Sequence, residues 1–184
     1  MQTSTSLLVI DLQRGAFDGV RCPPVDAPER LIGNARKLVA AARAGGHRVV
    51  FVQHCEGAGT PFEEGNDHWL LHQSLLPAAD DALVKKRASS SFEGTDLGVR
   101  LEAMNVGELV LCGLQSEFCV TNTARSALQL GYTVRVARDA HGTWPWQGRS
   151  AAEIADEANS RLAQAGALLD DTESLAAALR RERL

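Results

Sequence analysis

The chain has 184 residues and a formal charge of −4, with 45% hydrophobic and 23% charged residues. This balance excludes disordered and fibrous proteins, and the length predicts one domain over residues 1–184 with a single core. The mildly acidic charge, without a long basic run, argues against a nucleic-acid partner.

The N-terminal segment and the cysteines predict a cytoplasmic location. Met1–Ser6 carries no basic residue and the apolar run Leu7–Ile10 stops at Asp11, so we expect no secretory signal. No apolar stretch approaches the roughly 20 residues of a membrane helix, so we expect no membrane partner. The cysteines form no C-x-x-C pair and no disulfide framework, and we expect them to be reduced. They are Cys22, Cys55, Cys112 and Cys119.

Short apolar runs alternate with helical patterns along the chain. Runs rich in Val, Ile and Leu are typical of parallel strands that helices cover on both faces. We therefore predict an α/β fold with three layers, α/β/α, around a central, mostly parallel, six-stranded sheet of Rossmann-like form. The predicted strands are Leu7–Ile10, Val49–Val52, Ala82–Val84, Leu109–Cys112, Thr133–Ala137 and Ala167–Leu169.

Helix signals lie between these strands. Asp26–Glu29 is interpreted as a capping box that opens a helix ending at Gly45, and Ser150–Glu153 as a second capping box. Three more helices are predicted: one after a Thr95 cap, one from about Cys119 to Leu130, and one that contains Leu175 and Leu179. Residues 55–79 are predicted to be irregular.

Three reactive groups follow predicted strands: Asp11, Lys86 and Cys119. In open parallel sheets, ligands bind beyond the carboxyl ends of the strands. A helix N-terminus and a nearby ammonium would lower the pKa of the Cys119 thiol, and the helix N–H groups could hold an oxyanion. A carboxylate could take the thiol proton and return it to a leaving amine. Taken singly, the three residues fit a turn carboxylate, a solvated lysine and a buried thiol.

Three segments in order resemble those of the isochorismatase-like cysteine hydrolases. They are Val9–Gln13, Lys86–Leu97 and Cys112–Ala127, and the resemblance covers nearly the whole chain. It implies a parallel sheet flanked by helices and a catalytic triad of Asp11, Lys86 and Cys119. Lys85 is the neighbouring candidate for the triad lysine, but the spacing along the sequence to Phe92 favours Lys86.

The family resemblance also implies a reaction. Members hydrolyse small amides such as nicotinamide, carbamoyl compounds, ureido acids and streptothricin-type lactams. The expected function is therefore cleavage of an amide, lactam or ureido C–N bond through a thioester. A non-proline cis peptide precedes the family's nucleophile and corresponds to Leu114-Gln115, where it would aim the Gln115 N–H at the oxyanion. A homo-oligomer, dimer or tetramer, is expected on this analogy only.

A metal is not expected. Metal-dependent nicotinamidases of the family carry Asp-x-His after the second strand, and here Val52 stands two residues before His54. His68 and His72 could share a helix face, but no third ligand is in register. The sequence shows no phosphate loop or dinucleotide fingerprint, so no cofactor is expected. A metal-dependent nicotinamidase and a non-catalytic thiol-sensor scaffold remain the alternatives.

The substrate pocket is predicted to use aromatic residues in loops at the strand ends. Gln13, next to Asp11, is expected to orient Asp11 or the substrate, with an ordinary surface amide as the alternative. Aromatic side chains usually belong to a core. Trp144 and Trp146 flank a proline in a loop, which favours at least one as a pocket wall. The other candidates are Phe17, Phe62 and Trp69.

Overall fold

The computed structural model describes residues 3–181. In this part of the chain, six parallel strands form one sheet in the order β3-β2-β1-β4-β5-β6. The strands are β1 (Ser4–Ile10), β2 (Arg48–His54), β3 (Ala82–Lys86), β4 (Val106–Leu114), β5 (Thr133–Gly142) and β6 (Leu168–Asp170). The predicted fold class is confirmed, and every strand pair is parallel.

Helices cover both faces of the sheet. On one face α1 (Pro28–Ala44) and α5 (Thr172–Leu179) pack against alternate residues of β1, β2 and β4. On the other face, α2 (Leu97–Ala103), α3 (Thr121–Gln129) and α4 (Ala151–Gln164) bury the remaining strand residues. None of the helices within residues 3–181 is long and apolar enough to cross a membrane.

Several strands continue past the apolar runs that predicted them. The strand β2 extends through Gln53 and His54, which pair with Lys85 and Lys86 of β3. An apolar run ends at the first polar residue, whereas backbone pairing does not require an apolar side chain. The polar residues at these strand ends therefore share the sheet's rigid register.

The first predicted capping box is wrong. The helix α1 begins at Pro28, and its cap is Ala27 in the left-handed region with φ 46°, without a side-chain cap bond. A cap at Asp26 would have required Ala27 to be helical, and the residue before proline is kept out of that conformation. The capping box of Ser150 and Glu153 at α4 is confirmed by both of its hydrogen bonds.

Thr95 and the segment before α3 also differ from the prediction. Thr95 Oγ1 accepts a hydrogen bond from the Leu97 N–H, although the cap residue of α2 is Asp96. Cys119 does not open an α-helix, because it lies in one π-helical turn, Ser116–Val120, that leads into α3. The N–H of Val120 donates to the carbonyl of Gln115 across this wider turn.

Gly113 fixes the approach of β4 to β1. Its φ is 128°, and a Cβ atom placed there would lie 2.0 Å from the Ile10 carbonyl oxygen. Only glycine fits both the conformation and the spacing. Because Gly113 directly precedes Leu114 and Gln115, the same constraint sets the direction in which the chain leaves the sheet.

We expect Gly113→Ala to destabilise the fold by about 3 kcal/mol or more, since backbone must move to make room. That loss corresponds to a fall in Tm of roughly 6–12 °C for a chain of this size. The control is Gly33→Ala inside α1, where an added Cβ meets nothing within 4 Å and helix propensity should raise stability slightly. Thermal unfolding of both variants checks this. Equal Tm values would contradict the close approach.

Candidate active site

Three strand ends bring Asp11, Lys86 and Cys119 together. Asp11 follows β1 with φ 54°, Lys86 ends β3, and Cys119 lies in the turn after β4. The Lys86 Nζ lies 2.8 Å from Asp11 Oδ2 and 3.1 Å from Cys119 Sγ. The ammonium thus bridges a carboxylate and a thiol at the carboxyl edge of the sheet.

The Lys86 ammonium has two further acceptors. It lies 3.0 Å from His54 Nδ1 and 3.1 Å from the Ala88 carbonyl oxygen. An ammonium has three N–H donors, so four acceptors leave none of its hydrogens unsatisfied. Lys86 is 1% exposed, and burial alone would lower its pKa, but its interactions with Asp11 and Cys119 outweigh burial and raise it. Lys86 is therefore a fixed, buried positive charge.

Asp11 is the buried carboxyl group of the site. Burial raises the pKa of Asp11 above its usual value, and the nearby Lys86 charge opposes this shift. Its Oδ1 is buried and has no close hydrogen-bond partner among the described residues. One carboxylate oxygen is thus held by the lysine, and the other is available to a proton or a ligand.

The Cys119 thiol is protonated at rest. Burial raises its pKa to about 11, the Asp11 charge adds to the effect, and Lys86 opposes it. The ammonium lowers this pKa as expected, but burial and the interaction with Asp11 outweigh it, so the net shift is upward rather than downward. The nearby carboxylate rather than bulk solvent is the natural acceptor for the thiol proton.

His54 is a site residue whose place the sequence did not predict. It ends β2 beside Lys86 of β3, and its Nδ1 faces the lysine. Burial lowers the pKa of His54, and the charge of Lys86 lowers it further, so the imidazole is neutral near pH 7. With Nδ1 accepting from Lys86, Nε2 carries the proton, and it lies 3.6 Å from Glu56 Oε1.

Polar contacts tie the lysine segment to α3. Asn122 Nδ2 donates to Ser89 Oγ at 2.8 Å, and that hydroxyl lies 3.9 Å from Cys119 Sγ. One turn further, Ser91 N donates to Thr123 Oγ1 at 2.9 Å. The segment after β3 is thereby fastened to the helix that follows the thiol, which fixes Lys86 relative to Cys119.

A second polar chain supports the turn before Cys119. The peptide bond between Leu114 and Gln115 is cis. Ser116 Oγ lies 2.8 Å from His141 Nδ1, and His141 Nε2 lies 2.9 Å from Asn159 Oδ1. Burial lowers the pKa of His141, so this chain is uncharged near neutral pH. It anchors the turn to β5 and α4.

Two neighbouring cavities share wall residues, and the Cys119 thiol lines the smaller one. A cavity of about 340 Å³ contains Asp11, His54 and Cys119 in its wall, together with Phe62 and Ser89. A neighbouring cavity of about 530 Å³ is walled by residues that include Trp144, Trp146 and Glu117. Gln115 and Phe118 line both cavities. The cavity that contains the thiol is therefore adjacent to an aromatic pocket.

The aromatic predictions divide between pocket and scaffold. Trp144 and Trp146 line the larger cavity and Phe62 lines the smaller one. Phe17 and Trp69 are absent from both walls. Phe17 instead packs edge-on against His72, with ring centroids 5.0 Å apart, and the Trp69 ring lies under the Lys85 ammonium.

Gln13 is also part of the scaffold. It is fully buried, its amide donates to the carbonyls of His54 and Trp69, and its Oε1 accepts from the His54 N–H. It is neither a surface amide nor a wall residue of the two cavities. Its physical role is to hold the end of β2, and with it His54.

His68 and His72 do not form a metal site together. Their segment is irregular rather than helical, so they share no helix face. His68 Nδ1 lies 2.5 Å from Asp18 Oδ2, and His72 Nδ1 accepts from the Ser74 N–H. Within residues 3–181, the group with metal-ligand geometry is Asp11, His54 and Cys119, whose donor atoms lie within 4.8 Å of one another.

Sequence comparison identifies the family. The isochorismatase domain matches residues 5–174 of this chain. Streptothricin hydrolase of Streptomyces noursei is 37% identical over 139 residues, which are 76% of this chain and 50% of that protein. The chain thus spans about half the length of that relative. The ureidoacrylate amidohydrolase of Stutzerimonas stutzeri is 28% identical over 75% of this chain and 69% of its own length.

Solved structures agree with the sequence comparison. A protein of Oleispira antarctica assigned as an isochorismatase hydrolase superposes with a TM-score of 0.89 and 30% identity, over 96% of this chain and 98% of that chain. N-carbamoylsarcosine amidase of Thermoplasma acidophilum superposes with a TM-score of 0.76 and 26% identity, over 92% and 97% of the two chains. With matching sequence and fold, this chain belongs to the isochorismatase family of hydrolases.

Proposed function

We propose that the protein is a cysteine-dependent hydrolase that cleaves a C–N bond of a small amide, lactam or ureido compound through a thioester. The observation that carries this proposal is the Lys86 ammonium, in contact with both Asp11 and Cys119 inside a cavity. A buried acid, cation and thiol in mutual contact are the parts needed to activate a nucleophile without histidine as the base.

In the proposed first stage, Asp11 accepts the Cys119 thiol proton as the sulfur attacks the carbonyl carbon. The C–N bond breaks when Asp11 returns that proton to the nitrogen, and an amine or ammonia leaves. Lys86 stabilises the thiolate while the proton is on Asp11. The backbone N–H groups of Gln115 and Cys119 are the proposed oxyanion donors.

In the proposed second stage, water attacks the thioester. Asp11 is ionised again after the amine leaves, and it takes a proton from the attacking water. The carbon–sulfur bond then breaks, the acid product leaves, and the proton returns to the sulfur. The same carboxylate therefore acts as base and then as acid in each of the two stages, which its unpartnered Oδ1 permits.

The cavities and the relatives support a small C–N substrate. The reacting group would lie over Cys119 in the smaller cavity, and the rest of the molecule would extend past Phe118 towards Trp144. Relatives named for streptothricin, ureidoacrylate and N-carbamoylsarcosine share the family. We propose a substrate from these amide and ureido classes.

The raised pKa of the Cys119 thiol argues against a redox sensor. Sensor cysteines are usually accessible thiols of low pKa, whereas the pKa of Cys119 is raised to about 11. The four cysteines are all free in the structure. We accordingly keep the proposal of a reduced, cytoplasmic enzyme rather than a thiol switch.

The first test is turnover by the Cys119→Ala variant. We expect the wild type to hydrolyse at least one member of a panel of amides, ureido acids and lactams, and the variant to lose about a thousandfold or more in kcat. Cys112→Ala, at a buried thiol outside the cavity, is the matched control. Undiminished turnover by Cys119→Ala would refute the proposed nucleophile.

The second test separates Lys86 from its neighbour. Lys86→Met should lower kcat by about a hundredfold or more, because the buried charge that stabilises the thiolate is lost. Lys85→Met should be nearly silent, since Lys85 forms an exposed pair with Glu64 at 3.0 Å. Steady-state kinetics and circular dichroism of both variants decide. A dead Lys85→Met beside an active Lys86→Met would reverse the assignment.

The third test concerns the resting proton. With the pKa of Cys119 raised to about 11, the thiolate fraction should grow about tenfold per pH unit from pH 7 to 9. Alkylation of Cys119 by iodoacetamide, followed by peptide mass spectrometry, should rise with the same slope. The Cys119→Ser protein supplies the background from other thiols. A plateau reached below pH 8 would instead indicate a resting thiolate.

A further inference from the structure

The atoms that surround the Lys86 ammonium are also good ligands for a transition metal. We propose that Asp11, His54 and Cys119 form a Zn²⁺ site, and that Zn²⁺ inhibits the enzyme by competing with the Lys86 ammonium for these three side chains. Inhibition rests on the proposed function. The binding site itself does not.

The donor set has the chemistry of zinc. Zinc is bound by cysteine sulfur, histidine nitrogen and carboxylate oxygen at about 2.0–2.3 Å in tetrahedral sites. The donor atoms of Asp11, His54 and Cys119 lie within 4.8 Å of one another. Tetrahedral ligands around zinc are separated by about 3.5 Å on those bond lengths. A movement of roughly 1 Å, within reach of side-chain adjustment, would close the site.

A cation already occupies this place. The Lys86 Nζ lies 2.8 Å from Asp11, 3.0 Å from His54 and 3.1 Å from Cys119. The Ala88 carbonyl oxygen, 3.1 Å from the same nitrogen, completes four acceptors around it. Four hydrogen-bond acceptor atoms therefore surround one positive charge. A divalent ion would compete with the ammonium for the same position.

Two further features suit a metal. Asp11 is 2% exposed and its Oδ1 has no close hydrogen-bond partner in the described part of the chain, so one carboxylate oxygen is free to bind. The second is His54, which presents Nδ1 to the site and directs Nε2 towards Glu56 Oε1 at 3.6 Å. A carboxylate behind the outer nitrogen orients metal-binding histidines and increases their basicity.

Competition determines the direction of the effect. Metal binding needs the Cys119 thiolate, so one thiol proton is released to solvent for each ion bound. The Lys86 ammonium must leave its acceptors, because a positive charge about 3 Å from Zn²⁺ is strongly unfavourable. The bound ion would cover the sulfur and occupy Asp11, so Zn²⁺ should inhibit rather than activate.

The binding test uses Co²⁺ as a spectroscopic probe for the Zn²⁺ site, without any substrate. Lys86→Met should bind Co²⁺ at least tenfold more tightly than the wild type, with a thiolate-to-metal charge-transfer band. Adding Cys119→Ser should remove the band, and adding His54→Phe should weaken binding at least tenfold. Lys86→Gln serves in the same way if Lys86→Met does not fold.

Equal Co²⁺ affinity in the wild type and both lysine variants would overturn the competition. A band that survives Cys119→Ser, or affinity unchanged by His54→Phe, would overturn the ligand assignment. These outcomes do not depend on finding a substrate, so they stay separate from failure of the proposed hydrolase function.

The inhibition test uses the wild type and any amide that it hydrolyses. EDTA-treated enzyme should keep full turnover, Zn²⁺ should inhibit it reversibly at micromolar concentration, and Mg²⁺ should not. Loss of turnover in EDTA that Zn²⁺ restores would overturn the inference and indicate a metal-dependent enzyme. Absence of inhibition by Zn²⁺ would also overturn it.

Discussion

The buried ion pair of Asp11 and Lys86 is the interaction on which the rest of the site depends. Both side chains are almost fully buried, and taking two charges out of water is costly unless each finds close partners. Lys86, at the end of β3, is the partner of Asp11. The Ala88 carbonyl oxygen and the His54 imidazole are further partners of Lys86. The parallel sheet contributes by holding His54 beside Lys86 in fixed register, and Asp11 directly follows the strand on the other side of β2.

The position of the site residues at strand ends explains which of them the sequence predicts. Asp11, Lys86 and Cys119 each follow or end a strand, and the rule for ligand positions in parallel sheets points to such residues. His54 satisfies the same rule, because it ends β2 beside Lys86. The sequence suggests His54 only as a possible metal ligand, because the apolar run that predicts the strand ends at Val52. Extending the strand through Gln53 would have placed His54 next to the lysine.

Other features depend on packing that no local pattern contains. The aromatic positions could not be divided in advance between pocket and scaffold, because Trp69 and Trp144 both lie in loops and differ only in tertiary contacts. The segment at Asp26 matches the sequence pattern of a capping box, but the proline after Ala27 makes α1 begin at Pro28 with Ala27 as its cap. By contrast, Ser150 and Glu153 cap α4 through contacts within one turn, so sequence alone predicted them correctly.

Burial also raises the pKa of the Cys119 thiol. An ammonium at 3.1 Å would ordinarily stabilise a thiolate, yet the adjacent carboxylate cancels much of that charge and the cavity wall removes water. The result is a site in which the pKa of the Cys119 thiol and the pKa of the Asp11 carboxyl group are both raised. In the proposed mechanism, this state lets the thiol proton pass to Asp11 and then to the leaving nitrogen. The same arrangement places sulfur, nitrogen and oxygen atoms around one cation. The proposed Zn²⁺ ion would bind these same atoms.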